Sequence, residues 1–172
     1  MDDELWDVTD AAGIPTGRTH RRGDPEFPIG MFHIVAAVVV VRGDGLVLMT
    51  RRAAVKDWGL CWEFPAGSAL VGETSPEAAV RELAEETGVR IGTDALTLVG
   101  RLVEKIAVFD TYFARVPGEP VLELDPDEVC ESAWVSFAEA LRRCAAGEMA
   151  GPWVPRLVQL GAPLAELVEQ LG

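Results

Sequence analysis

Residues 67–89 read Gly67-Ser-Ala-Leu-Val-Gly-Glu73-Thr-Ser-Pro-Glu77-Ala-Ala-Val-Arg81-Glu-Leu-Ala-Glu85-Glu-Thr-Gly-Val89. Thr74-Ser75-Pro76-Glu77 supplies a hydroxyl N-cap, a proline in the first turn and a glutamate placed to close a capping box, and Gly88 supplies the stop. A helix over Pro76–Thr87 follows. At 100° per residue Val80, Leu83, Ala84 and Thr87 share one stripe, the expected core face, while Glu82, Glu85 and Glu86 fall nearly opposite. Glu82 faces both of the other two, and each like-charge pair opposes the helix by roughly 0.2–0.5 kcal/mol. Glu85 and Glu86 also sit in the last turn, where the helix dipole favours a cation by about 0.3–1 kcal/mol. Arg81, one turn before Glu85, relieves part of this. Good caps on a helix with the wrong charges at its C-terminal end indicate a site for a hard cation such as Mg2+ or Mn2+, which takes carboxylate oxygens and completes its shell with water and phosphate oxygens.

The loop before this helix, Pro65–Glu73, carries Gly67 and Gly72 where the backbone must bend or approach a ligand. Its carbonyls are candidates to join a metal site, and Glu73 adds a fourth carboxylate.

Outward from this centre, Leu5–Thr9 and Arg18–Arg22 read as strands joined through Ala12–Gly17. Ile34–Arg42 and Leu46–Arg51 are β-branched apolar runs around the hairpin signal Gly43-Asp44-Gly45. Trp62–Phe64 is a short strand that ends at Pro65. Leu96–Val103, Ile106–Arg115 and Ala133–Val135 read as further strands, with a turn at Pro117–Pro120. Phe137–Ala146 is expected to be helical, as is Val154–Leu171, with an interruption near Gly161 and Pro163. Strands and helices mix without a strict βαβ rhythm, so the expected class is α+β, an α/β/α sandwich with a sheet covered by helices. No long linker or internal repeat divides the chain, so one domain is expected over residues 1–172, with 1–30 a hairpin extension and 150–172 a C-terminal helix.

The 172 residues carry 28 Asp and Glu against 15 Lys and Arg, a net charge of −13. That excess excludes a broad nucleic-acid surface and a helix for anionic lipid. The longest apolar run, Ile34–Val41, is too short to cross a bilayer, and the acidic start lacks a signal peptide's positive region, so a cytoplasmic location is expected. Cys61, Cys130 and Cys144 are widely spaced, form no C-x-x-C pair and read as reduced thiols. No phosphate-binding G-x-x-x-x-G-K-[ST] loop and no G-x-S-x-G elbow occurs.

Gly67, five residues, Glu73, seven residues and then Arg81-Glu-Leu-Ala-Glu-Glu-Thr-Gly-Val89 resembles the Nudix box, with every fixed position filled. Seven fixed positions arise by accident about once in a hundred million starts. The resemblance implies a mixed sheet between helices and hydrolysis of a nucleoside diphosphate linked to another moiety. It implies Glu82, Glu85 and Glu86 as metal ligands, a carbonyl of Gly67 or Ala66 as a further ligand, and Glu73 as a supporting carboxylate. Arg81 would orient the glutamates by ion pairing. The base that takes the proton from water is implied to be a box glutamate or one on a distant loop, where Glu128 and Glu131 are the candidates.

Arg51 and Arg52, which end a strand, are candidates to meet phosphate; His20 and His33 read as structural. The stretch Glu63-Phe-Pro-Ala-Gly looks like that of Nudix enzymes acting on ADP-ribose and similar sugar nucleotides, although Ala66 stands where a first glycine is common. The flanks Glu4–Asp10, Phe32-His33, Thr50–Ala53, Asp127–Val129 with Trp134, and Pro152-Trp153 resemble the isopentenyl-diphosphate isomerase branch of the same superfamily. That branch needs a cysteine in the loop after the Trp62 strand and distant glutamates. Here Phe64–Val71 has no cysteine and the Ile106–Tyr112 strand no glutamate, so a hydrolase is favoured over a prenyl-diphosphate isomerase. The expected partner is a small-molecule diphosphate such as a nucleoside triphosphate or ADP-ribose; a homodimer is compatible with the hairpin and the last helix.

Overall fold

The computed structural model describes residues 4–170. A two-stranded hairpin comes first, β1 (Leu5–Thr9) and β2 (Pro15–Arg21), followed by β3 (His33–Arg42), β4 (Val47–Arg52), β5 (Trp62–Glu63) and β6 (Ala66–Ser68). Helix α1 (Ser75–Thr87) leads to β7 (Leu96–Val103), β8 (Ala107–Val116), β9 (Val129–Val135), α2 (Phe137–Ala145) and α3 (Trp153–Glu169). The main sheet runs β5-β4-β3-β8-β7, with β6 on β3 and β9 on β4.

Strand β3 explains the architecture. It pairs in parallel with β8 from His33 opposite Ala107 to Arg42 opposite Val116, and both of its faces are covered, which is why it reads as one unbroken apolar run. Ala37, Val39 and Val41 pack with Phe109, Trp153, Leu157, Leu160 and Leu164 under α2 and α3. Ala36, Val38 and Val40 pack with Ala78, Ala79 and Leu83 of α1. The sheet therefore lies between α1 and the α2–α3 pair, the expected sandwich.

Several boundaries differ from the sequence reading. The return strand of the first hairpin starts at Pro15, because the Asp10 carboxylate accepts from the amides of Ala12 and Ile14 and closes the turn early. The chain between Pro65 and Glu73 is partly strand: Ala66, Gly67 and Ser68 pair antiparallel with Ala37, Ala36 and Val35. Strand β9 begins four residues before Ala133, because Val129–Ser132 pair with β4. Helix α3 runs through Gly161 and Pro163 without a break, since Trp153, Leu157, Leu160 and Leu164 form one buried stripe whose packing outweighs the missing hydrogen bond. Its expected end at Leu171 lies outside the described residues.

The buried stripe of α1 is Ala78, Ala79, Leu83, Glu86 and Thr87, with Val80 and Ala84 only half-buried. Its two alanines face β3, and the segment after residue 121 crosses the helix end. There the Glu123 amide donates to Thr87 O (2.9 Å) and the Asp125 amide to Glu86 O (3.2 Å). That crossing covers Glu86, which a helical wheel places on the solvent side. Among the described residues, no helix is long and apolar enough to cross a membrane.

Candidate metal and phosphate site

The capping box forms as expected, with the Glu77 carboxylate accepting from the amide and hydroxyl of Thr74 at 2.8 and 2.6 Å. At the other end Gly88 takes a left-handed φ of 76° and its amide donates to Ala84 O. These caps fix where the helix starts and stops, and hence which way its glutamates point. A second tie holds the start of the helix: the Ser75 hydroxyl donates to the buried Asp110 carboxylate at 2.5 Å, and Arg101 grips both oxygens of Asp110 at 2.7 and 2.8 Å.

Helix α1, strand β6, the hairpin and two loops enclose a cavity of about 620 Å3. Its lining includes Glu82, Glu85 and Glu86 of the helix and Ala66, Gly67 and Ser68 of β6. Arg52, Lys56, Asp57, Asp125 and Glu128 line it as well, and the hairpin and its ends contribute Glu4, Trp6, Arg22 and Gly23.

The Glu82 carboxylate lies against the Gly67 backbone so closely that a Cβ on Gly67 would fall 2.0 Å from its carboxyl carbon. Any side chain at 67 would evict it. Arg81 sits behind these glutamates. Its Nε and Nη2 hold both oxygens of Glu73 at 2.7 and 2.9 Å, Nη2 also donates to Ser68 O, and Nη1 donates to Glu82 and Glu85, both at 2.9 Å. Burial works against the Arg81 charge, but its glutamate partners raise its pKa overall. Burial also pushes Glu73 up, yet the hydrogen bonds from Arg81 and the Leu70 amide hold it below the usual carboxylate range.

Burial drives Glu82 up to about 7, with Arg81 opposing and Glu85 and Glu4 adding repulsion. Glu86 is only 5% exposed, and its Oε2 has no hydrogen-bond partner among the described residues. Burial, then repulsion from Glu63, Glu82 and Glu128, push its carboxyl well above the usual range. A buried carboxylate oxygen left unpaired is expensive unless a cation or a proton satisfies it. Hard oxygen donors lining one cavity, a glycine cleared for one of them and an unpaired buried oxygen suit a divalent cation. Among the described residues no three carboxylate, imidazole or thiol groups converge on one point, because Arg81 engages Glu82 and Glu85.

The other candidates separate clearly. Arg52 lines the cavity and donates to Glu63 Oε1 at 2.6 Å and to Asp57 O at 2.6 Å. Arg51 turns away, paired with Glu131 at 3.0 Å and with Leu60 O. Glu131 is thereby placed outside the cavity lining, whereas Glu128 lines it and is held by Lys56 Nζ at 2.5 Å. Glu73 lies behind Arg81, off the cavity. His33 is buried with Nδ1 unpartnered among the described residues, and its ring stacks on Trp6, centroids 4.2 Å apart. His20 lies on β2 beside Trp6 and off the cavity lining. The three cysteines are free thiols.

A NUDIX domain model matches residues 31–157, spanning β3 to the start of α3 with the acidic helix in its middle. The chain belongs to the NUDIX family. Among NUDIX relatives, an uncharacterised Nudix hydrolase of Listeria monocytogenes is 41% identical over 90 residues, 51% of this chain and 53% of that protein. The chain thus spans about half the length of the Listeria relatives it matches. An isopentenyl-diphosphate Delta-isomerase of Nocardia farcinica is 33% identical over 172 residues, 90% of this chain and 92% of that protein. Of solved structures, DR0079 from Deinococcus radiodurans superposes with a TM-score of 0.71 at 24% identity, covering 98% of this chain and 99% of that one. The NUDIX domain of Shewanella oneidensis NrtR, solved with ADP ribose, gives 0.56 at 18% identity over 70% and 82% of the two chains. NUDIX hydrolases generally use divalent metal, in keeping with the oxygen-rich lining of this site.

Three contributors to this NUDIX site escape a reading of the sequence alone. Lys56 sits in the loop after β4, where Trp58 and Leu60 hold left-handed φ values of 56° and 64°. Strain of this kind gathers at functional loops, but no local composition announces it. Glu63, the buried partner of Arg52, repels Glu86 from outside the cavity lining, and Trp6 arrives with the hairpin. Each is held there by a contact with residues distant in the chain or across a strand pair: Lys56 by Glu128, Glu63 by Thr50 of β4, and β1 by Val71, Gly72 and Phe32.

Proposed function

We propose that this chain is a metal-dependent pyrophosphohydrolase that cleaves a diphosphate linkage in a nucleoside diphosphate derivative, a sugar nucleotide such as ADP-ribose or a nucleoside triphosphate. One observation carries the reading: Glu86, whose buried Oε2 is unpaired among the described residues, lines one cavity with Glu82, Glu85 and the cations Arg52 and Lys56. Glu82, Glu85 and Glu86, with a carbonyl of Gly67 or Ala66, would hold Mg2+ or Mn2+. The bound ion would neutralise diphosphate charge and acidify a water molecule. Arg81 positions the glutamates through its bonds to Glu73, Glu82 and Glu85, and Glu73 in turn fixes Arg81. Arg52 and Lys56 meet phosphate oxygens; Arg51 is committed to Glu131 and stays outside. Glu128 takes the proton from the attacking water once phosphate competes for Lys56. The whole chain acts as a single domain, in the cytoplasm.

The Nocardia isomerase match supports a second reading, a prenyl-diphosphate isomerase-like enzyme. Against it, no cysteine lines the cavity among the described residues, and Cys61 lies outside the lining. A screen of nucleoside triphosphates, sugar nucleotides, dinucleotides and prenyl diphosphates, with and without Mg2+, tests both. Phosphate or monophosphate release from a nucleotide, lost in Glu86→Gln, supports the hydrolase. Exchange of prenyl isomers without hydrolysis overturns it.

A further inference from the structure

Trp6 belongs to the hairpin, outside the acidic helix and its loop, yet it lines the cavity. Its indole lies nearly parallel to the imidazole of the buried His33, at an interplanar angle of 9°. Phe27 packs against both histidines, 5.6 Å from the His33 ring and 4.8 Å from that of His20, the cross-strand neighbour of Trp6. The strand carrying Trp6 is fastened on both sides of it. The Val71 amide donates to Leu5 O at 2.9 Å, the Gly72 amide to the Asp7 carboxylate at 2.8 Å, and Thr9 pairs with Phe32. The indole is thus backed by a second ring and held by neighbours that do not depend on a ligand.

His33 covers one face of the indole, so the surface that Trp6 gives to the cavity is what His33 leaves uncovered. Around it the cavity is polar. Besides Trp6, the lining residues include one other non-glycine apolar side chain, the methyl group of Ala66. A branched hydrocarbon chain needs a continuous apolar wall, which this cavity lacks. A planar heterocycle needs one flat ring to stack on and polar groups at its edge. Glu4, ion-paired with Arg22 at 2.8 Å, supplies a carboxylate beside Trp6.

We propose that Trp6 is the specificity-determining residue of this site: the nucleobase of the substrate stacks on the indole beneath the hairpin, with the Glu4 carboxylate at its hydrogen-bonding edge. This rests on the reading of the cavity as a diphosphate site and names the moiety that the diphosphate carries.

The test measures binding without turnover. Full-length protein with Mg2+ is titrated by calorimetry with α,β-methylene ADP, whose P–C–P link resists hydrolysis, and with methylenediphosphonate, the same anion without nucleoside. Trp6→Ala should weaken the nucleotide by about tenfold or more, the loss expected for one base–aromatic stack, and leave the ring-less anion within twofold. Trp6→Phe keeps a ring, so it should hold nucleotide affinity near the parent value while removing the fluorescence quench that accompanies nucleotide binding. It also serves if Trp6→Ala fails to fold. The inference is overturned if Trp6→Ala binds nucleotide as well as the parent does, if both ligands weaken equally, or if isopentenyl diphosphate quenches Trp6 more tightly than the nucleotide. Trp6-dependent nucleotide binding without hydrolysis of any substrate would sink the hydrolase reading and leave this one standing. Metal-dependent hydrolysis indifferent to Trp6 would do the reverse.

Discussion

His33 makes folding sensitive to acid in a way that can be isolated. Its imidazole is 5% exposed, and burial, reinforced by repulsion from His20, lowers its pKa from 6.5 to about 4, against a smaller opposing contribution from the Ile34 backbone. An imidazolium lying over an indole gains about 0.5–2 kcal/mol; removal from water outweighs this. Between pH 6.5 and 4 the unfolded chain therefore binds a proton at this site that the folded chain refuses, so stability falls as pH falls. At 1.36 kcal/mol for each factor of ten, the loss across that window is about 3 kcal/mol. In His33→Phe the ring still stacks on Trp6 but does not titrate. Overpacking by the larger ring shifts the whole curve by roughly 1–3 kcal/mol at every pH and leaves its slope unchanged. Glu82, held up near 7, works in the opposite sense but equally in both proteins. Urea unfolding of parent and variant at half-unit steps from pH 7.5 to 4 should show the parent losing about 1.4 kcal/mol more per pH unit below 6.5. A constant difference between the two across the window would refute the claim that His33 is buried as the neutral ring.

Four further outcomes are expected. Mg2+ or Mn2+ at a hundredfold excess over Kd should stabilise the parent by about 2.7 kcal/mol, read as a rise in Tm, and Glu86→Gln should lose that rise while melting no lower than the parent without metal. Gly67→Ala places its methyl on the Glu82 carboxylate, a flexible group that can move aside, so Tm should change little while hydrolysis falls at least about tenfold, the equivalent of 1.4 kcal/mol. Lys56→Met should raise KM for a diphosphate more than it lowers kcat, since it removes a phosphate contact and frees Glu128; an unchanged KM would exclude Lys56 from substrate binding. Asp110→Ala should destabilise by about 2–3 kcal/mol in urea unfolding, below the figure for a fully buried pair because Arg101 keeps some solvent.

Local chemistry was enough to determine the acidic helix and its ends. Capping by Thr74 and Glu77, the stop at Gly88 and the wrong-signed Glu82, Glu85 and Glu86 are all set by neighbours within a few residues, and so is the both-sides-buried strand Ile34–Val41. The same is true of the turn at Gly43–Gly45. Tertiary structure decided what those residues face. Glu86 lies on the polar side of an isolated helical wheel, and only the tertiary structure, in which residues 123–125 bond the end of the helix, leaves it 5% exposed with an oxygen unpaired. Arg51 and Arg52 are alike in sequence, but alternation along β4 and the partners Glu131 and Glu63 send one away from the cavity and keep the other in it. Glu63 reaches the site through the pairing of β5 with β4, Lys56 through its ion pair with Glu128, and Trp6 through the bonds that tie β1 to Val71, Gly72 and Phe32, none of which any periodicity encodes. Caps and charge patterns act over one or two turns, whereas burial, and the electrostatics it strengthens, depends on segments far apart in the chain.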